Sequence, residues 1–458
     1  MPTPNLLFLA TDHQRADSIG AVQAGVEVTP NLNRLAGQGT HFQRAYTTCP
    51  LCVPARTAIA TGKYPTRNGV VYNDWKGERA GDHKPLHQFL AEAGYDVGHI
   101  GVDHIRVTPS LRERVDFSRW ASNSEYNKFI AEKGIDDNSV DLNRFKRAIT
   151  ENQEGEHTSV SYSNTETAVW PHPEEFFLDS FYGHQAIEFL QQEREKPFAL
   201  FVYFWAPHPP LRLPEPYASL FAPDRIDIPP NVDQPAAGEP ANRRRGIAAQ
   251  LAEGLSTEDW RRVWAAHLGL THLADAVVGR ILSALNATGC RDETLVLFTT
   301  DHGDHLGQHR MYQKMEMYEQ AIRIPLVLSG PEIGVQTCDT PVSHLDLLPT
   351  LLDHLGLESP DPLDGISLRP FLESGAPLPE RSIFSQYSGN PVVGDLRRAV
   401  ITRRHKYVYD PDDNPELYDL ETDPLEMHNI ASEEPDLVLQ LHEECRRWGE
   451  ARGDWVAF

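Results

Sequence analysis

A chain of 458 residues, 40% hydrophobic and 24% charged, has the material for one large domain and a smaller one. Its formal net charge of -24 argues against nucleic acid or an anionic membrane surface as partner, and an anionic small molecule would need local cations to hold it. Five scattered cysteines, an odd number, exclude a disulfide framework, and the longest apolar run, Phe198 to Ala206, is too short to span a bilayer.

The first element predicted is a strand from Asn5 to Ala10. Its apolarity is continuous rather than alternating, which suits a strand buried on both faces of a parallel sheet. It ends at Asp12-His13-Gln14-Arg15, and a carboxylate at the carboxyl end of such a strand stands where open α/β sheets bind ligands. No basic region or cleavage site precedes it, so a cytoplasmic protein is expected, or a periplasmic one if a leader has been removed. A helix follows, with Thr29 as its cap and Pro30 in its first turn. A short strand from His41 to Tyr46 then leads into Cys49-Pro50-Leu51-Cys52-Val53-Pro54-Ala55-Arg56. Thr57 to Thr61 is small and helix-compatible, which places Cys52 near a helix N-terminus. Free N–H groups there favour anions and lower a thiol's pKa.

Beyond this lie a helix from Pro85 to Ala93 and a strand from Tyr95 to Gly101, ending at Val102-Asp103-His104. From about Arg112 to Trp170 the pattern is polar and weakly periodic and reads as an excursion over the sheet edge or the site mouth. A helix from Asp179 to Gln192 precedes the strand Phe198 to Trp205, which ends at Pro207-His208-Pro209-Pro210. Pro214 to Pro240 reads as a meandering loop. A long helix spans Trp260 to Asn286, and a buried strand from Thr294 to Thr300 ends at Asp301-His302-Gly303-Asp304-His305. One more strand (Ile322 to Leu328) and a helix (His344 to Leu355) complete an α/β domain whose strands repeatedly end in polar clusters. After Pro370, short strands and a final helix from about Pro435 to Trp448 suggest a small α+β domain. The expected division is 1–370 and 371–458, the second part carrying a short antiparallel sheet.

A Cys-x-Pro-x-Arg pattern, two acid–imidazole clusters and a downstream Lys314 are the parts of a metal-assisted transfer site for an anionic group. Cys49 and Cys52 also have the spacing of a redox pair or half a zinc site, but no second pair accompanies them. The ordered set of Asp12, Cys52 to Arg56, Asp301-His302-Gly303, Lys314, Asp346-Leu347-Leu348-Pro349-Thr350 and Glu416 to Pro424 resembles the type I, formylglycine-dependent sulfatases of the alkaline phosphatase superfamily, relatives of the phosphonate monoester hydrolases.

The resemblance implies an α/β fold with a mostly parallel sheet and hydrolysis of an aryl or carbohydrate sulfate monoester to alcohol and sulfate. It implies that Cys52 is oxidised to formylglycine by a formylglycine-generating enzyme. Cys49 does not fit the pattern, because Leu51 and Val53 stand at its Pro and Arg positions. Asp12, His13, Asp301, His302 and the group at Cys52 would hold one divalent ion. Ca²⁺ is expected from the oxygen ligands, and Mn²⁺ if both imidazoles bind. Arg56 would support the formylglycine. Lys314 would contact the transferred group, His208 would protonate the leaving oxygen, His104 matches a kept histidine, and Asn73 matches a substrate-side residue of the phosphonate monoester hydrolases.

One departure stands out. Val102 occupies the place of a lysine in the Gly-Lys-x-His pattern, which opens phosphonate monoester or phosphodiester hydrolysis as an alternative. A second alternative is an inactive metal-binding relative. Lys63 and Gln308-His309-Arg310 lie near matched positions and could line the site, and Trp75, Trp170 and Trp205 could stack on an aryl or sugar group, with ordinary packing the favoured reading of each. A small anionic ester is the expected ligand, and a homo-oligomer is compatible with the size.

Overall fold

The computed structural model describes residues 4–73, 80, 83–136 and 141–458; Trp75 lies outside them. A nine-stranded sheet forms the centre. Its main path runs Gln336–Cys338, Thr40–Tyr46, Arg323–Ser329, Thr294–Thr300, Asn5–Thr11, Phe198–Tyr203, Asp96–Gly101 and Arg119–Ala121, with Val342–Ser343 also pairing on Thr40–Tyr46. Arg323–Ser329 runs antiparallel to both of its neighbours, and the other pairings are parallel. Asn5–Thr11 is buried along its whole length, as its unbroken apolarity requires of a strand covered on both faces. Its register pairs Thr11 with Thr300 and Ala10 with Tyr203. Three adjacent strands therefore finish level at one edge and release Asp12, Asp301 and the Trp205–His208 turn side by side.

Helices cover both faces. Thr257–Ala287, of 31 residues, starts at a reciprocal cap between Ser256 and Asp259. It packs against Leu178–Leu190 at Gly183, where a Cβ would come within 2.4 Å of Val277 Cγ1. Among the described residues this long helix alone has the length and apolarity to cross a membrane, and 67% of its most apolar stretch is buried, as in a core helix.

The polar excursion holds more structure than its pattern suggested. It supplies the three-residue edge strand Arg119–Ala121, the capped helix Asn123–Glu132, and a hairpin of Lys146–Gln153 with Glu156–Ser163. The edge strand is too short to show a period, and much of the hairpin's surface faces solvent, so neither carries an apolar alternation. Within the Pro-rich stretch, Tyr217–Leu220 is a single helical turn.

The C-terminal part is a small antiparallel sheet of Ile383–Tyr387, Arg397–Ile401, His405–Tyr409 and Glu416–Asp419, backed by the helix Pro435–Ala451. Phe384 stacks on Trp448 of that helix at 4.9 Å between centroids. This small sheet also braces the loop before Cys52: the Gln386 amide donates to the Thr48 carbonyl at 2.8 Å.

Candidate active site

The helix Cys52–Thr61 is buried throughout and begins directly at Cys52, behind an extended Leu51 that offers no side-chain cap. Its free amides are served from outside instead. Asn73 Oδ1 accepts from the Val53 N–H at 3.1 Å, so this residue, expected to meet substrate, stands at the mouth of the same helix. The helix closes at Gly62, whose φ of 64° is the left-handed conformation glycine adopts without strain.

Arg56, one turn further on, points back into the sheet edge. Its Nε donates to Asp301 Oδ2 and its Nη2 to Asp12 Oδ2, each at 2.9 Å. One planar guanidinium thus holds an oxygen of each carboxylate, leaving Asp12 Oδ1 towards the cysteine and Asp301 Oδ1 to accept the His302 amide at 2.9 Å. Asp12 Oδ1 lies 3.6 Å from Cys52 Sγ. Burial and the neighbouring Asp301 charge push Asp12 up to about 7, against Arg56 and Lys314. Burial acts in the same direction on Asp301, but Arg56, His302 and Lys314 outweigh it and hold that carboxyl low.

Two imidazoles complete the centre, and each is aimed by the partner of its Nδ1. His302 Nδ1 meets the Gly303 carbonyl at 3.1 Å, so it carries the proton and presents Nε2 as a lone pair, 3.3 Å from Cys52 Sγ. His13 Nδ1 meets Asp304 Oδ2 at 2.7 Å. The other Asp304 oxygen accepts the amides of Leu306 and Gln313, each at 3.0 Å, and Lys314 donates to His13 Nε2, which leaves Asp304 Oδ2 as the acceptor for the Nδ1 proton. Burial drives His13 well below the usual imidazole range, with Lys314 adding to it, and sets His302 at about 3. Both rings are therefore neutral at physiological pH, the state in which imidazole binds a metal.

Donor atoms of Asp12, His13, Cys52 and His302 lie within 4.8 Å of one another. They form a buried set fit for one divalent ion. Asp301 stands beside that set, with Oδ1 3.6 Å from His302 Nε2.

Lys314 reaches in from the other side, with Nζ 3.2 Å from Cys52 Sγ and in contact with His13 Nε2. Burial would favour its neutral amine, yet Cys52, Asp12 and Asp301 raise its pKa and keep it a cation. His208 packs edge-on against His13 at 4.4 Å between centroids. Its Nδ1 contacts the Pro209 carbonyl, which leaves Nε2 as the unprotonated nitrogen. Burial and Lys314 hold this ring too well below its usual range. His104 follows the end of Asp96–Gly101, close enough that Arg56, Asp301 and His208 act on its charge. Val102 is buried and apolar, its amide bonded to the Tyr203 carbonyl at 2.9 Å.

One expectation needs correction, and several open readings resolve to packing. The helix N-terminus does not lower the Cys52 thiol pKa: burial and Asp12 push it up, beyond what Lys314 and Arg56 return, so the unmodified residue is an inert thiol. Cys49 is likewise a buried free thiol, not half of a disulfide. Lys63 bonds to the Pro362 carbonyl. Gln308 bonds Asn231, the His309 amide donates to the Asn231 carbonyl at 3.2 Å, and Arg310 pairs with Asp233, so all three anchor the Pro-rich loop rather than line the centre. Trp170 is core. Trp205, in contrast, flanks His208.

Asp304 is the functional residue that sequence reasoning missed. Its place two residues past His302, in a run of acid and imidazole groups, was the available signal. Asp179 is a second: fully buried, it accepts the amides of Trp205 and Ala206 at 2.7 and 3.1 Å and so fixes the turn that carries His208. Nothing in its own helix announces that role.

The sulfatase family model matches residues 4–357, and the model for the C-terminal part of N-sulphoglucosamine sulphohydrolase matches 307–449. The multifunctional alkaline phosphatase superfamily protein PehA of Trinickia caryophylli is 30% identical over 503 residues, covering 99% of this chain and 96% of its own length. The uncharacterized sulfatase YidJ of Escherichia coli (strain K12) is 28% identical, covering 94% of this chain and 84% of its own. Among solved structures, the phosphonate monoester hydrolase of Agrobacterium radiobacter superposes with a TM-score of 0.79 at 24% identity, over 98% of this chain and 96% of that one. That likeness establishes the fold.

Proposed function

The chain belongs to the sulfatase family of the alkaline phosphatase superfamily and is a sulfuric ester hydrolase, and on that premise we propose that it cleaves sulfate monoesters through a formylglycine formed at Cys52, with one divalent ion beside it. The observation that carries this reading is the convergence of Asp12, His13, His302 and Lys314 on the Cys52 side chain. As a thiol, Cys52 is too far above its ordinary pKa to act as a nucleophile, so conversion by a formylglycine-generating enzyme is what gives the position its chemistry. The hydrated aldehyde would supply two hydroxyls on one carbon, the chemistry of a transfer in which one hydroxyl displaces the alcohol from sulfur and loss of the other's proton expels the inorganic anion and restores the aldehyde.

Asp12, His13 and His302 would hold the ion, with Asp301 next to them and an oxygen of the modified residue where Sγ now stands. Two neutral imidazoles whose Nε2 atoms face the centre fit Mn²⁺ or another transition ion better than the Ca²⁺ expected from the oxygen ligands alone. Such an ion lowers the pKa of the attacking hydroxyl and offsets charge on the transferred group.

The remaining residues act directly. Arg56 keeps both carboxylates in register. Lys314 offers a point charge to the oxygens of the transferred group. His208 holds Nε2 towards the leaving oxygen. It is neutral in the free protein because burial and Lys314 disfavour its cation. A bound anionic ester offsets Lys314 and lets the ring carry the proton that the alkoxide takes. His104 flanks that path, and Asn73 holds the helix mouth at which the transferred anion sits.

Phosphonate monoester or phosphodiester hydrolysis with the same parts is the second reading. Val102 favours it, since it puts a buried apolar side chain where related enzymes place a second cation. The ratio of kcat/KM on an aryl sulfate to that on the matched aryl phosphonate monoester, in one metal-loaded preparation, decides between them. Several decades in favour of sulfate support the first reading, and a ratio below one makes the phosphonate the substrate class.

A further inference from the structure

Away from Cys52, one more set of donor atoms comes together among the described residues. A ring nitrogen of His354 and one oxygen each of Glu332 and Glu373 lie within 4.8 Å of one another, the same span as the donors around Cys52. Three separate elements supply them. His354 ends the helix Leu347–His354, Glu373 lies in the helix Arg369–Ser374, and Glu332 follows the strand Arg323–Ser329. That strand runs antiparallel to Thr294–Thr300, and its last residue, Ser329, pairs with Val296, far back along the strand that releases Asp301. At about 3.3 Å per residue, this set stands on the order of 15–20 Å from the transfer centre, at the opposite edge of the sheet.

The backbone fixes these positions. The Gly334 amide donates to the Leu372 carbonyl at 2.7 Å and the Leu368 amide to Thr350 Oγ1 at 2.8 Å, which ties the turn of Glu332 and both helices together. Glu332 itself holds φ 62°, a left-handed conformation that is costly for a residue with a Cβ. Although both glutamates are exposed, His354 is only 8% exposed, and its buried Nδ1 has no hydrogen-bond partner. A buried nitrogen left unpaired costs stability, so the ring has a use for a partner that the chain does not supply. Arg369 orders the acids much as Arg56 does at the centre. Its Nε meets Glu373 Oε1 at 2.5 Å, its Nη2 Glu332 Oε2 at 3.4 Å and its Nη1 Asp353 Oδ1 at 3.3 Å. It engages one oxygen of each glutamate and leaves the other as a donor to an ion. One guanidinium among three carboxylates leaves a surplus of two negative charges, the charge a divalent cation balances.

We infer that His354, Glu332 and Glu373 form a second cation site, separate from the transfer centre, which takes a borderline divalent ion such as Zn²⁺. One imidazole nitrogen with two carboxylate oxygens is a set that Zn²⁺ binds at about 2.0–2.2 Å, and water completes the shell on the side where the glutamates face solvent. Ca²⁺ and Mg²⁺ prefer oxygen throughout and gain little from the imidazole. An ion here clips the turn of Glu332 to both helices. The helix Leu347–His354 in turn lies against the end of the Cys52 helix, where a Cβ on Gly62 would come within 2.9 Å of Leu348 Cδ2. The site is therefore a stabilising one, which binds the folded chain and touches neither the transferred group nor the ion beside Cys52.

Calorimetric titration of Zn²⁺ into the metal-stripped full chain tests this, with wild type, His354→Gln and Glu373→Gln. Each variant should bind one ion fewer than wild type, or bind that ion about a hundredfold more weakly. Adding Zn²⁺ should also raise the Tm of wild type by more than it raises that of either variant. Glu373→Gln changes an exposed side chain, so it keeps the test open if the buried His354→Gln fails to fold. A wild-type chain that binds a single ion, lost in both variants, would uphold the site and show that Zn²⁺ does not enter the transfer centre. Equal stoichiometry and affinity in wild type and Glu373→Gln would overturn the site and leave the three residues as surface acids paired with Arg369 beside a buried histidine.

Discussion

Arg397, on the second strand of the C-terminal sheet, places Nε 3.5 Å from Glu316 Oε2, two residues beyond Lys314. Arg243 reaches the same oxygen at 3.4 Å, and both arginines meet Asp410 Oδ2 at 3.1 Å. All four side chains are buried. On the other side of Lys314, the Gln313 amide bonds Asp304 and its side chain bonds the Ser163 carbonyl at 2.7 Å. Gln313 and Met315 have φ of 67° and 85°, conformations that non-glycine residues hold only when their surroundings impose them. Lys314, the cation proposed to meet the transferred group, is thus held by the C-terminal sheet and the polar hairpin together.

Glu316→Gln should therefore act through Lys314. It leaves two buried arginines short of a counter-charge, and kcat/KM on an aryl sulfate should fall by about ten- to a hundredfold, with weaker inhibition by inorganic sulfate in parallel. A double-mutant cycle checks the route: in a Lys314→Ala background the same change should cost little more. Full, additive loss in that background would mean a general effect on stability.

Asp304→Ala removes the acceptor that sets the His13 tautomer. Metal affinity, measured by competition with a chelator, should drop by about ten- to a hundredfold, while Arg56 and both aspartates keep their places. Unchanged affinity would take His13 out of the ligand set.

Stripping the metal with a chelator should abolish turnover, and adding back single ions should restore more activity with Mn²⁺ than with Ca²⁺. The two inward-facing imidazoles are the reason. Better recovery with Ca²⁺ would mean that the oxygen ligands govern the site.

Asp179 gives a prediction in pH. Burial pushes its carboxyl up to about 6, against the Trp205 and Ala206 amides that favour the anion. An acid raised in the folded state costs nothing below its unfolded pKa near 3.8 and costs its full amount above about 6. Asp179→Asn keeps an acceptor for both amides and has no charge to bury. Its stability relative to wild type should rise between pH 4 and 6, by up to about 2–3 kcal/mol, and then level off. Asp179→Ala loses both bonds. Its turnover should fall most for esters with poor leaving groups, which depend on His208, and a uniform loss across leaving groups would place Asp179 outside the positioning of that ring.

Much of this was legible along the chain. Asn5 to Ala10, Phe198 to Trp205 and Thr294 to Thr300 announce buried parallel strands by unbroken apolarity, and the groups at their ends are the groups that meet. What escaped is of two kinds. The Lys146–Gln153 hairpin shows solvent much of its surface, and the edge strand Arg119–Ala121 is only three residues long, so neither carries a period. Asp304, Asp179, Glu316 and Arg397 act through partners distant in sequence, and a buried carboxylate looks like any surface acid until its partners are known. The Cys52 thiol failed for a related reason: the helix end is local and readable, whereas the burial and the Asp12 charge that outweigh it come from the fold.

The most direct measurement is the mass of the peptide containing Cys52, taken from enzyme made with and without a formylglycine-generating enzyme, alongside its turnover of an aryl sulfate. The account predicts an aldehyde at Cys52 and a rate proportional to the aldehyde fraction, with Cys49 remaining a thiol. Undiminished turnover by protein whose Cys52 is entirely thiol would contradict it.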